Sequence, residues 1–159
     1  MTKPEEHAVF EKARELEGII AEGLWGIRPD SEWDIVEYVV RETGSRGSSG
    51  VKVYLHGQEV DRIRPEDAWL IAALKLREVL YRPQKGTWLS MSIQITPKGG
   101  GWEVFYNYYD KPNWDLGEPS ADSYAQELYL FPRDDEHIPD WFREEMKGAT
   151  WTPEPDEDH

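Results

Sequence analysis

Between Thr87 and Tyr109 the chain reads as two alternating runs joined by a glycine-rich turn. Leu89, Met91, Ile93 and Ile95 alternate with Trp88, Ser90, Ser92 and Gln94. After Pro97-Lys-Gly-Gly-Gly101, Trp102, Val104, Tyr106 and Tyr108 alternate with Glu103, Phe105, Asn107 and Tyr109. A period of two sends successive side chains to opposite faces, so residues 87–96 and 102–109 predict an antiparallel hairpin with one face that must be covered. A cover lies just upstream. After Arg64-Pro65, the residues Trp69, Leu70, Ala73, Leu74, Leu76, Val79 and Leu80 make a wide apolar helical face over about 65–82, which Pro83 would end.

The remaining segments extend the same pattern. Val9, Ala13, Leu16 and Ile20 recur at helical spacing, predicting an amphipathic helix over roughly 4–23. Trp33–Val40 and the alternating Val51, Val53 and Leu55 predict two more strands, about 33–40 and 51–56, separated by a flexible Ser/Gly loop at 44–50. Two short helices are expected at 124–131 and 139–146. The expectation is therefore an α+β chain of order α-β-β-α-β-β-α-α, with a four-stranded antiparallel sheet packed against helices. At 159 residues it is one domain, 1–149, followed by an acidic, proline-containing tail at 150–159 expected to be disordered.

Charge narrows the class of partner. Thirty-two acidic residues face 18 basic ones, a net charge of -14. Residues 51–100 are the exception, with 5 acidic and 8 basic side chains, whereas residues 110–159 carry 15 acidic and 4 basic. Such a chain repels nucleic-acid phosphate and favours a basic protein partner. There is no cysteine, and the longest apolar run, Ala68–Leu74, falls far short of a membrane span. The expected location is the cytoplasm.

Catalytic signals are thin. His7, His56, His137 and His159 are far apart, with no metal-ligand spacing. No nucleophile elbow and no phosphate loop is present. Asp134-Asp135-Glu136 is a carboxylate cluster without calcium-loop spacing. The expectation is no enzyme, no metal and no cofactor.

The run Trp33-Asp-Ile-Val-Glu-Tyr-Val-Val40, the strand Gly86–Ile95, the segment Val104-Phe-Tyr-Asn-Tyr-Tyr-Asp110 with Lys111-Pro112, and the closing Leu130–Glu136 and Ile138–Trp141 resemble the YezG-like family of bacterial antitoxins and immunity proteins. The resemblance spans roughly residues 5–147. It implies an intracellular protein that binds and neutralises a cognate polymorphic toxin, often a nuclease and hence basic. A non-catalytic adaptor domain fits the same features, and a small carboxylate-dependent hydrolase is a more distant alternative.

The aromatic-rich third and fourth strands and the acids after them are the expected partner surface: Trp88, Trp102, Tyr106, Tyr108, Asp110, Trp114, Asp115, Glu118 and Asp122, with Asp134, Asp135 and Glu136 nearby. Alternation turns Trp88 outward. For 102–109 two arrangements stay open, since both faces carry aromatics. With Phe105 and Tyr109 inside, Trp102, Tyr106 and Tyr108 join Trp88 in an exposed patch. With Val104, Tyr106 and Tyr108 inside, Glu103, Phe105, Asn107 and Tyr109 face out.

Overall fold

The computed structural model describes residues 3–114 and 117–155. Helix α1 (Lys3–Gly26) leads into strands β1 (Ile35–Thr43), β2 (Arg46–Leu55) and β3 (Gln58–Ile63). Helix α2 (Asp67–Val79), strands β4 (Ser90–Ile95) and β5 (Glu103–Asn107), and helices α3 (Ala121–Leu130) and α4 (Asp140–Met146) follow. The fold is α+β with a wholly antiparallel sheet of order β3-β2-β1-β4-β5.

The sheet has five strands rather than four, and two features account for the difference. Residues 44–50 are not a loose loop. Gly44, with φ of 48°, and Ser45 form a two-residue turn, after which Arg46–Gly50 pair with Val39–Thr43. A left-handed residue at the start of the turn is what a tight hairpin demands, and glycine supplies it without steric cost. The Ser/Gly composition looks flexible, but the neighbouring β1 backbone gives every residue from Arg46 to Gly50 a ladder partner. Strand β3 then follows a second tight turn at His56-Gly57, where both φ values are positive, 51° and 78°. Most of β3 is exposed. A polar edge strand has little apolar periodicity to announce it. Helix α2 also stops earlier than expected, at Val79 rather than near Pro83.

One face of the sheet is covered and the other is open. Val36, Tyr38, Val40 and Glu42 alternate inward along β1, and Met91, Ile93 and Ile95 do the same along β4. Against them lie Leu16, Ile20 and Leu24 of α1 and Trp69, Ala73 and Leu76 of α2. A smaller core joins Leu89 to Tyr124 of α3 and Phe142 of α4.

A buried polar tie holds these two cores together. The Glu127 carboxylate accepts the Gly44 backbone N–H at 2.9 Å and pairs with Arg77 Nη2 at 2.7 Å. Arg77 Nε also donates to the Trp88 carbonyl at 3.0 Å. Arg133 Nη2 donates to the carbonyls of Thr87 and Tyr108, at 3.0 and 2.8 Å. Buried charges persist only when paired in this way.

The other face of the sheet carries Glu37, Val39, Arg41, Ser90, Ser92 and Phe105, the last of them exposed. The chain after β5 borders it.

Candidate partner-binding surface

The exposed aromatic patch expected on the third and fourth strands does not form, and hydrogen bonds explain why. Met91 pairs with Tyr106 and Ile93 with Val104 across β4–β5. Directly paired residues share a face, so the buried Met91 and Ile93 draw Val104 and Tyr106 inward with them. The polar tips fix the choice. Buried Glu17 of α1 accepts Trp102 Nε1 at 3.0 Å and the Tyr106 hydroxyl at 2.6 Å. Arg14 pairs with Glu17 and lies 4.0 Å over the Trp102 ring. The Tyr106 phenol is pushed well above its usual range by burial and by that carboxylate. Tyr108 donates to the Leu80 carbonyl at 2.9 Å. Of the two arrangements left open for 102–109, the structure has Val104, Tyr106 and Tyr108 against the core.

Trp88 is completely buried, with 0% of its surface exposed. Alternation fails there because β4 begins only at Ser90. The preceding residues run between the two cores, so Trp88 enters the main one and Leu89 the smaller one. Trp114 is also buried. Asp115 lies outside the described residues.

The expected acids divide into two groups. Glu118 is exposed and 3.6 Å from Lys111. Asp122 serves the fold, since its Oδ1 accepts the backbone N–H groups of Thr150 and Trp151 at 2.8 and 3.0 Å. The first residues of the segment expected to be a tail are thus held, and Trp151 packs edge-on to Tyr129. Residues 156–159 lie outside the described residues. Asp110, Asp134, Asp135 and Glu136 are all exposed.

These four gather around aromatic groups that the expectation did not include. Tyr109, 39% exposed, stacks on His137 at a ring separation of 6.1 Å. His137 closes the short 3-10 turn that contains Asp135 and Glu136. The half-buried Trp141 donates Nε1 to the Tyr109 carbonyl at 2.8 Å. The Asn107 side chain grips Asp110, accepting its N–H and donating to its carbonyl, each at 2.8 Å. On the open side of the edge strand β5, Phe105 is 54% exposed. It borders a cleft of about 400 Å³ whose rim includes Asp110 and Lys111.

The result is a ridge along the outer side of β5 and its exit. Phe105 and Tyr109 supply apolar surface, and Asp110, Asp134, Asp135 and Glu136 supply charge. Arg143 reaches Asp135 at 3.5 Å but leaves that side chain 97% exposed. Phe105 and Tyr109 were legible only as half of an undecided choice. The deciding residue, Glu17, lies 89 positions from Tyr106.

Among the described residues, no group of three His, Asp or Glu side chains converges to hold a metal ion. No helix in the described residues is long and apolar enough to cross a membrane. No protein-family model and no curated protein matches this chain.

Proposed function

We propose that this chain is a non-catalytic inhibitor of the immunity or antitoxin kind, similar to the YezG-like proteins, and that it neutralises a basic, nuclease-type toxin domain inside the cell. The reading is carried by the ridge just described, where exposed Phe105 and Tyr109 stand beside exposed Asp110, Asp135 and Glu136. Apolar anchors bordered by exposed, mostly acidic side chains are the composition of an interface core and its rim. The net charge of -14 adds long-range attraction to a cationic protein, which speeds encounter. The ridge is suited to holding a surface, and inhibition by occlusion requires nothing more of the bound protein.

An immunity gene commonly follows the toxin gene it serves, as the family resemblance implies. The test is co-expression of this chain with the C-terminal domain of the protein encoded immediately upstream. Restored growth, together with a complex that co-purifies, supports the reading. Undiminished toxicity with this chain folded and abundant contradicts it.

A further inference from the structure

A second cleft opens on the uncovered face of the sheet, where β1, β2 and β3 meet. It has a volume of about 370 Å³, and its walls carry Arg41, Lys52, Arg62 and Arg64 but no carboxylate. Such sorting stands out in a chain with 32 acidic and 18 basic residues. It is where three cations of the basic middle of the sequence come together.

Strand register concentrates this charge. Lys52 lies directly opposite Arg62 in the β2–β3 ladder. Like charges facing each other across a sheet are destabilising unless an anion lies near them. Two carboxylates flank the pair: Glu59, 3.9 Å from Lys52 Nζ and 3.1 Å from Arg62 Nε, and Glu37, opposite Lys52 in the β1–β2 ladder. Arg64 makes no ion pair among the described residues.

The floor is made of small residues. A Cβ placed on Gly50 would meet nothing within 4 Å, and the buried Ser48 hydroxyl has no hydrogen-bond partner.

We propose that this cleft binds a small phosphate-bearing molecule. Lys52, Arg62 and Arg64 hold its anionic group. Guanidinium forks match phosphate oxygens geometrically, and an ammonium adds a point charge. The volume lies in the range of small-molecule sites. The chain's negative charge opposes a nucleic-acid polymer, whose backbone would extend well beyond the cleft. The site neighbours edge strand β3, whereas the proposed toxin-binding ridge follows β5 at the other edge. Neither proposal depends on the other.

The test is an NMR titration of the uniformly ¹⁵N-labelled full chain at constant ionic strength, with inorganic phosphate, pyrophosphate and AMP in turn. The expected result is a saturable shift confined to the amides of 48–52 and 62–64. Arg64→Glu should weaken it by about tenfold or more, the scale of one charge-assisted hydrogen bond. Arg64→Gln guards against misfolding of the charge-reversed protein and should weaken binding in the same direction. Lys98→Glu, a change of the same sign in the β4–β5 turn, should leave the affinity unchanged. Tighter binding of AMP than of phosphate assigns a ligand with an organic body. The reverse order assigns a free phosphate or pyrophosphate. The proposal is overturned by no saturable shift with any of the three probes, by shifts equally strong around Lys85 and Lys98, or by tighter binding of a single-stranded oligonucleotide than of AMP.

Discussion

Along β5, one side chain after another alternates between two different environments. Inward, Trp102 and Tyr106 bring their polar tips to a single buried carboxylate, Glu17, and their rings to the main core. Outward, Phe105 is exposed, and beyond the strand's end Tyr109 stands exposed beside exposed carboxylates. The residue types on the two sides are nearly the same. What separates them is how much of each ring the chain covers: Tyr109 meets His137 and Arg133 yet stays 39% exposed, and Phe105 is 54% exposed. The surface an aromatic ring leaves uncovered is what another molecule can use.

The closed side should be expensive to break, most of all where charge is buried. Glu127 is fully buried, pairs with Arg77 and receives the Gly44 N–H. Glu127→Ala leaves Arg77 buried without its counter-charge, and the expected loss is about 3–5 kcal/mol in chemical denaturation. Arg77→Met combined with Glu127→Leu should recover much of that loss, because an apolar pair removes the desolvation cost from both partners. If the double variant is as unstable as Glu127→Ala, the pair is not what joins the two cores.

Glu42 occupies an inward position of β1, in line with Val36, Tyr38 and Val40. Burial pushes its carboxyl up to about 7; Arg77 opposes the shift and Glu127 adds to it. The folded protein therefore keeps a proton that the unfolded chain has already released. This contribution to stability is complete below the ordinary carboxylate range and is lost as pH rises through about 7. The expected decline is up to about 3 kcal/mol between about pH 4.5 and pH 8, and Glu42→Gln should flatten it. Denaturant midpoints measured across that interval check both. An unchanged slope in Glu42→Gln would place the proton elsewhere.

The comparison is sharpest within β5 itself. Tyr106→Phe removes the hydroxyl that reaches Glu17 and should cost about 1–3 kcal/mol, because a buried carboxylate loses a partner. Phe105→Ala on the opposite side should stay within about 0.5 kcal/mol of the parent, as exposed substitutions usually do. Thermal unfolding of the two variants side by side tests the assignment of faces. Equal losses would show that the outer side also serves the fold.

Much of this arrangement can be read from sequence wherever residue type varies with position. The 3.6-residue spacing of Ala13, Leu16 and Ile20 marks α1, and the apolar–polar contrast from Leu89 to Ile95 marks β4. Contrast is missing in β5, where Tyr106 and Phe105 are equally suited to a core. The choice is made by Glu17 on a distant helix. It is missing again in β3, whose side chains mostly meet solvent. At Trp88 the period itself misleads, because the chain there is buried on both sides. The ridge was half legible for the same reasons. Asp110, Asp134, Asp135 and Glu136 read as surface from charge alone, whereas their aromatic neighbours depended on register.

In the proposed function the outer side of β5 serves attachment and not folding. The most direct test is the dissociation rate of the complex between this chain and the toxin domain that the proposed function requires. It should be measured for the parent and for the double variant Phe105→Ala/Tyr109→Ala, after both have been shown to unfold at the same temperature. Loss of an interface anchor typically costs about 2 kcal/mol, so the double variant should release its partner at least about thirtyfold faster. Asp135→Lys/Glu136→Lys should instead slow capture at low salt and leave release nearly unchanged. Release at the parental rate by a folded Phe105→Ala/Tyr109→Ala protein would contradict the account.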